Sequence, residues 1–289
     1  MKTVIKTLED TGIETIHSAF VRAFSDYQVD ISYMTPAVIE KRFIKNGYHP
    51  ELSAGLFEEG ELKGFTIVGI GRFNGGRSGF DIMTGMVKEW RGKGYAHKMF
   101  DLIKTKMKQE AINNFYLEVL QENAPAIKAY SKTGFKKVRG LNCYQLNVGK
   151  LKPARHIETV VFLDRYDRSV IDRFTGFLDW EPSWENHFES IKRIPDHVEV
   201  IIATAFGKQV GILVYYPTLK WILTLAVDPR YRRKGVATAL VEYLLDILPI
   251  YVREIKVLNV DDGDEATNSF FRASGFELVT SQYEMRIDL

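Results

Sequence analysis

Two short stretches carry most of the chemistry that can be read from this chain. They are EWRGKGYA, residues 89–96, and PRYRRKGVA, residues 229–237. Each follows an apolar run that reads as a strand and precedes a pattern that reads as an amphipathic helix. The start of a helix leaves backbone N–H groups without partners and carries partial positive charge. Glycine lets the backbone approach a ligand closely, and Arg or Lys adds charge. Together these make an anion site, most naturally for a phosphate or pyrophosphate. One copy alone could be an ordinary strand-to-helix turn. The second copy argues otherwise. Arg91 and Arg232, Gly94 and Gly235, and Ala96 and Ala237 each stand 141 residues apart, and so do Gly134-Phe135 and Gly275-Phe276. Two separate motifs in one fixed register indicate a tandem duplication.

The elements that must hold these loops follow from periodicity. In the first half TVIKTL reads as a strand, and Ile13, Ile16, Phe20 and Phe24 lie at helical spacing. TPAVIEKRFIKNG reads as a helix with a Thr cap, Pro at its start and Gly47 at its end. Strands turn at Glu59-Gly60, NGGRSG (74–79) reads as a loop, and FDIMTGMV as the strand into the basic turn. A helix with Ala96, Met99, Phe100, Ile103 and Met107 on one face comes next. Strand FYLEVL, a helix ending at Gly134, and KKVRGLNCYQLNV as the last strand or hairpin complete the half. NVGKLKPARH (147–156) suits a linker. The second half repeats the order, with a strand pair turning at Gly207-Lys208 and EPSWENHF placing Trp184 at helical distance from Phe188 in a core role. The predicted domains are 1–150 and 151–289.

Composition excludes several classes. The 289 residues carry a net charge of +2, too balanced to indicate nucleic acid or an anionic membrane as partner. Cys143 is the single cysteine, so an internal disulfide or a thiolate zinc site is excluded, and a strand-core role is expected. The six histidines show no metal spacing such as HExxH, and no metal is predicted. Neither a signal-peptide segment nor an apolar run of membrane length is evident, so a cytoplasmic location is expected. GxxxxGK[ST] and the GxGxxG fingerprint are both absent, which argues against a P-loop or Rossmann nucleotide site.

RGKGYA and RRKGVA resemble the Arg/Gln-x-x-Gly-x-Gly/Ala signature of the GNAT acetyltransferase superfamily. LEVLQENAPAIKAYSKTGFKKV resembles that superfamily's second motif, a strand followed by Asn-x-x-Ala-x-x-x-Tyr-x-x-x-Gly-Phe. The resemblance implies an α/β chain of two tandem GNAT-like domains, each a mostly antiparallel twisted sheet flanked by helices. It implies acetyl-CoA as cofactor, held by the backbone at Met86 and Val87 and by Arg91, Gly92, Lys93, Gly94, Tyr95 and Ala96, with Asn123 near its arm. The matching positions in the second half are Val227, Arg232, Arg233, Lys234, Gly235, Val236 and Ala237. The reaction implied is acyl transfer to an amine of a small molecule or peptide. It needs a neutral amine, a donor for the oxyanion and a proton for the leaving thiolate.

Tyr130 matches the family's thiolate acid, and Asp81 or Glu118 is positioned to act as base. Asp26, Tyr27 and Tyr33 offer an acidic and aromatic lining for a cationic amine. At the places of Tyr130 and Asn123 the second half has Phe271 and Asp264. The first half is therefore expected to be the catalyst. Catalysis by the second half, or an acyl-CoA-binding regulatory protein without catalysis, are the alternatives. A monomer or a homodimer is expected, since duplication can supply the pairing that single domains reach by dimerising.

Overall fold

The computed structural model describes residues 3–26, 31–152 and 168–289. They form two compact units. One is Met1–Val138 together with Tyr283–Leu289, and the other is Arg139–Gln282.

The first unit contains β1 (Thr3–Thr7), α1 (Ile13–Ala23), α2 (Pro36–Asn46), β2 (Ala54–Glu58), β3 (Glu61–Phe73), β4 (Gly76–Met86), α3 (Tyr95–Gln109), β5 (Asn114–Leu120) and α4 (Ala124–Lys132). Strands β1 to β4 are successive antiparallel neighbours, and β5 lies parallel to β4. The parallel pair requires a crossover, which α3 supplies. Helix α1 buries Ile16, Ala19, Phe20 and Ala23, and α3 buries Met99, Phe100, Ile103 and Met107. Thr35 caps α2 by accepting from the Val38 N–H at 3.4 Å, and Gly47 ends it at φ 71°. The turn Glu59-Gly60 has both residues at positive φ, as a two-residue hairpin needs. Asn74-Gly75 does the same at φ 48° and 78°. The loop expected over 74–79 therefore shrinks to two residues, and Gly76–Gly79 belong to β4. The reason is the Asn-Gly pair, which closes a hairpin with no further residues.

The second unit contains β7 (Glu199–Ala205), β8 (Lys208–Tyr216), β9 (Trp221–Val227), α6 (Val236–Ile247), β10 (Glu254–Asp261) and α7 (Glu265–Ala273), preceded by the short α5 (Phe188–Lys192). β7, β8 and β9 are antiparallel in turn, and β10 lies parallel to β9. The hairpin turn falls on Phe206-Gly207, at φ 50° and 71°, one residue before the expected Gly207-Lys208. Trp184 and Phe188 are buried, in the core role expected of them.

KKVRGLNCYQLNV does not simply close the first half. It is one strand, β6 (Lys136–Asn147), and from Arg139 onward it belongs to the second unit. There it runs antiparallel to β10 and buries Tyr144 and Leu146 in that unit's core. The chain's last strand, β11 (Glu277–Asp288), makes the opposite contribution. From Tyr283 it belongs to the first unit, where Met285 is buried and Ile287 packs against the same core. The Leu289 N–H donates to Asn113 O at 2.8 Å. Apolar alternation marks both segments as strands but carries no label for the sheet they enter.

Candidate acyl-transfer site

In the first unit the β4–β5 ladder pairs Ser78–Asp81 with Asn114–Leu117. Beyond Asp81, β4 continues to Met86 and β5 to Leu120 without a register between them among the described residues. The two strands part at Asp81, as the family resemblance implied. The second unit repeats this, since only Lys256-Val257 pair with Trp221-Ile222.

The basic loop follows β4. Gly94 caps α3 in the left-handed region at φ 79°, and Gly235 caps α6 at φ 85°. Neither cap supplies a side-chain acceptor, so the leading amides of both helices have no cap partner. Nothing lies within 4 Å of a Cβ built on Gly92 or Gly94. The cradle is thus open, with its N–H groups presented, and it fits an anion. Lys93 lies over the Trp90 ring at 5.1 Å and Lys234 over Tyr231 at 5.5 Å, which holds a cation at the same place in each loop. At the place of Gly92 the second copy holds Arg233 at φ 62°.

The Arg91 side chain is engaged within the fold. Its Nε donates to Met86 O at 2.9 Å, Nη2 to Ala23 O at 2.6 Å, and Nη1 and Nη2 to the Asp26 carboxylate at 2.7 and 2.8 Å. Arg232 does likewise with Val227 O, Phe177 O and Asp179. These arginines brace the end of the strand, in the first unit against the end of α1 and in the second against the segment before β7. Asp26 is the partner in this brace rather than a free anionic lining, and Arg91 holds its carboxyl below the usual range. Val87 is also engaged, its N–H with Lys63 O and its carbonyl with the Trp90 N–H, both at 2.9 Å. Tyr33 is exposed, and Tyr27 lies outside the described residues.

Asp81 is buried where the strands part. Burial pushes its carboxyl up to about 7, against the lowering effect of hydrogen bonds from Thr84, the Met83 backbone and Tyr130. Thr84 donates to Oδ2 at 2.8 Å, the Tyr130 hydroxyl stands 3.5 Å from the same oxygen, and Oδ1 is buried without a hydrogen-bond partner. Tyr130 is set by edge contacts with Phe100 and Phe135, at 5.8 and 5.9 Å between centroids. Asn123 caps α4 by accepting from the Ala126 N–H at 3.2 Å. Glu118, half-buried, follows Leu117, the strand partner of Asp81. Sequence reasoning missed Thr84, because only the strand register brings it onto the face of Asp81.

The second unit holds a cavity of about 640 Å³ lined by Leu225, Val227, Gly235, Ala237, Asp264 and Phe270, among others. Asp264 caps α7 and accepts from the Trp180 indole at 2.8 Å. Phe271, at the place of Tyr130, is buried and stacks on Tyr144 at 5.6 Å. Away from both clefts, His49, Glu51 and Glu110 bring ligand atoms within 4.8 Å of one another, with Glu110 ion-paired to Arg77 at 2.8 Å.

A strand, a glycine-capped basic loop, a helix and a parallel strand that parts from the first, present twice, define a tandem α/β protein. The chain belongs to the Acetyltransferase (GNAT) family, whose model matches residues 2–135 and 164–276. No curated protein matches it. It is similar to the solved structure of a GCN5-related N-acetyltransferase from Sphaerobacter thermophilus, at 13% identity and a TM-score of 0.72, covering 99% of this chain and 95% of that one. A tandem GNAT protein from the clavulanic acid biosynthesis pathway is similar at 12% identity and TM-score 0.70, covering 99% and 98%. A putative acetyltransferase from Pyrococcus horikoshii follows at 17% identity and TM-score 0.66, covering 99% and 89%. At these identities the structures speak to the fold.

Proposed function

We propose that the protein is an acetyl-CoA-dependent N-acetyltransferase whose first unit acetylates an amine of a small molecule or peptide. The observation that carries this reading is the pairing of Tyr130 with a buried Asp81 at the fork of β4 and β5. The open amides around Gly92–Ala96 would hold the pyrophosphate, and Asn123 lies at the start of α4 beside the fork. Acetyl-CoA supplies the acetyl thioester. Asp81 takes a proton from the ammonium, which a carboxyl of near-neutral pKa does well at neutral pH. Tyr130 gives its hydroxyl proton to the leaving sulfur and regains one from Asp81 across their contact. Of the two protons the nitrogen gives up, one ends on sulfur and the other in solvent. Glu118 is the other candidate base, and Asp81 is favoured because its proton affinity suits the task.

The second unit is read as a CoA-binding site without turnover. It keeps the cavity and the loop, while the places of Asp81, Glu118 and Tyr130 hold Ile222, Asn259 and Phe271. Gly94→Val and Gly235→Val separate the two sites, because a β-branched residue at positive φ costs about 1–3 kcal/mol. Thiol release across a panel of amines is expected to fall with Gly94→Val and to persist with Gly235→Val, with calorimetry reading acetyl-CoA binding to each. The reverse pattern would move catalysis to the second unit. Tight binding with no thiol release from any amine would make the protein a non-catalytic acyl-CoA binder.

A further inference from the structure

The β3–β4 register holds a device that acyl transfer as so far described does not use. Thr66 pairs with Thr84 across the strands. Their hydroxyls are 3.0 Å apart, and Thr84 donates to Asp81 Oδ2 at 2.8 Å. With the single Thr84 proton directed to the carboxylate, the contact between hydroxyls is filled by the proton of Thr66, which is fully buried. Ordinary alternation would put residues 81 and 84 on opposite faces. A bulge prevents this, since Ile67 pairs with Met83 and Val68 with Asp81, leaving Ile82 as the extra residue.

The second unit acts as an internal control. It has the same bulge at the same place, because Val214 pairs with Thr224 and Tyr215 with Ile222. It also keeps the left-handed glycine caps and the capped start of α7. Yet the register puts Leu213 and Leu225 where the first unit has Thr66 and Thr84. Ile222 stands for Asp81 and Phe271 for Tyr130. The scaffold is thus built equally well from leucines. The two hydroxyls occur with the carboxylate and the phenol, and all four are replaced by apolar side chains together.

We infer that Thr84, held by Thr66, is a positioning residue for Asp81: its hydroxyl fixes Oδ2 beside Tyr130 and leaves Oδ1 to receive the proton of the amine. This rests on the reading of Asp81 as the base. Tyr130 on α4 stands 3.5 Å from Asp81, and Glu118 on β5 follows its strand partner Leu117. Helices α1 and α2, which also pack on this sheet, carry His17, Arg22, Arg42 and Lys45 among others. Hydrogen bonds from Thr84, the Met83 backbone and Tyr130 lower the Asp81 carboxyl against the effect of burial, so they are a means of adjusting it.

The test is a pH titration of the Asp Cγ resonances in the full chain labelled with ¹³C-aspartate, Asp81→Asn identifying the signal. The wild-type midpoint is expected near 7. Thr84→Val is expected to raise it by about one pH unit, the size of a lost hydrogen bond to a charged group. Thr84→Ser restores the midpoint, and Thr66→Val raises it by less. The acid limb of kcat, with an amine that supports thiol release, moves with it. An unmoved midpoint in Thr84→Val, with turnover lost in Asp81→Asn, overturns the inference and leaves the base reading intact. Wild-type turnover in Asp81→Asn overturns the base reading itself, whatever Thr84 does. Should Thr84→Val fail to fold, Thr66→Val decides, and an unmoved midpoint there overturns the inference.

Discussion

Replacing Asp81 by Asn should stabilise the protein, and by an amount that depends on pH in a calculable way. The carboxyl titrates near 7 when folded, against an ordinary value of 3.8. Between these values the folded protein holds a proton that the unfolded chain has released. Stability therefore falls as pH rises through this range, and the loss is complete above about 7. At about 1.36 kcal/mol for each pH unit, the whole window amounts to roughly 4 kcal/mol, and the part between pH 5 and pH 8 to about 3. Asn has nearly the same shape, still accepts from Thr84 and does not ionise. Urea unfolding followed by circular dichroism, for both proteins at pH 5 and pH 8, gives a difference of differences in which the second unit cancels. Asn is expected to gain about 3 kcal/mol more over Asp at pH 8 than at pH 5. An equal difference at the two pH values, within about 0.5 kcal/mol, would mean that the carboxyl titrates as in an unfolded chain. The case for Asp81 as a base matched to neutral pH would then be lost.

Tyr130→Phe should lower turnover at least about tenfold and leave acetyl-CoA affinity unchanged, since the ring contacts with Phe100 and Phe135 survive. Unchanged turnover removes Tyr130 from the mechanism. Arg91→Ala should lower Tm by roughly 2–4 °C, through loss of the brace to Met86, Ala23 and Asp26, with little effect on acetyl-CoA binding by calorimetry. A large loss of affinity at unchanged Tm would return Arg91 to the pyrophosphate. Met285→Ala should cost about 2–5 kcal/mol, felt as faster amide exchange in β5. Faster exchange confined to β8 would contradict its place in the first core.

Much of the site was legible because its parts are local in sequence. A glycine at a helix start, a capping Asn or Asp, and Gly134 and Gly275 at positive φ all show themselves as residue types at fixed spacing. The difference between Tyr130 and Phe271 was equally open to reading. What stayed hidden depends on pairing across strands. The acceptors of Arg91 at Ala23 and Asp26 lie far back in the chain, and nothing in RGKGYA announces them. Asp81 reads as one strand charge among several, because nothing in FDIMTG announces a bulge at Ile82. The fates of β6 and β11 were hidden for the same reason, as periodicity describes a strand and not its neighbour.

The exchange of final strands also sets a timetable for synthesis. Residues up to Val138 of the first unit are made before the second unit, yet Met285, Ile287 and the Leu289 bond to Asn113 come only after it. At a synthesis rate of about 5–20 residues per second, roughly 7–30 seconds separate residue 138 from residue 283. Through that interval the core around Phe115 and Phe135 lacks a side, and β5 shows an open edge of the kind that recruits other chains. The second unit extends no further than Gln282. The unit started first is thus the one finished last, and the risk of misassembly in this protein falls on the half proposed to do its chemistry.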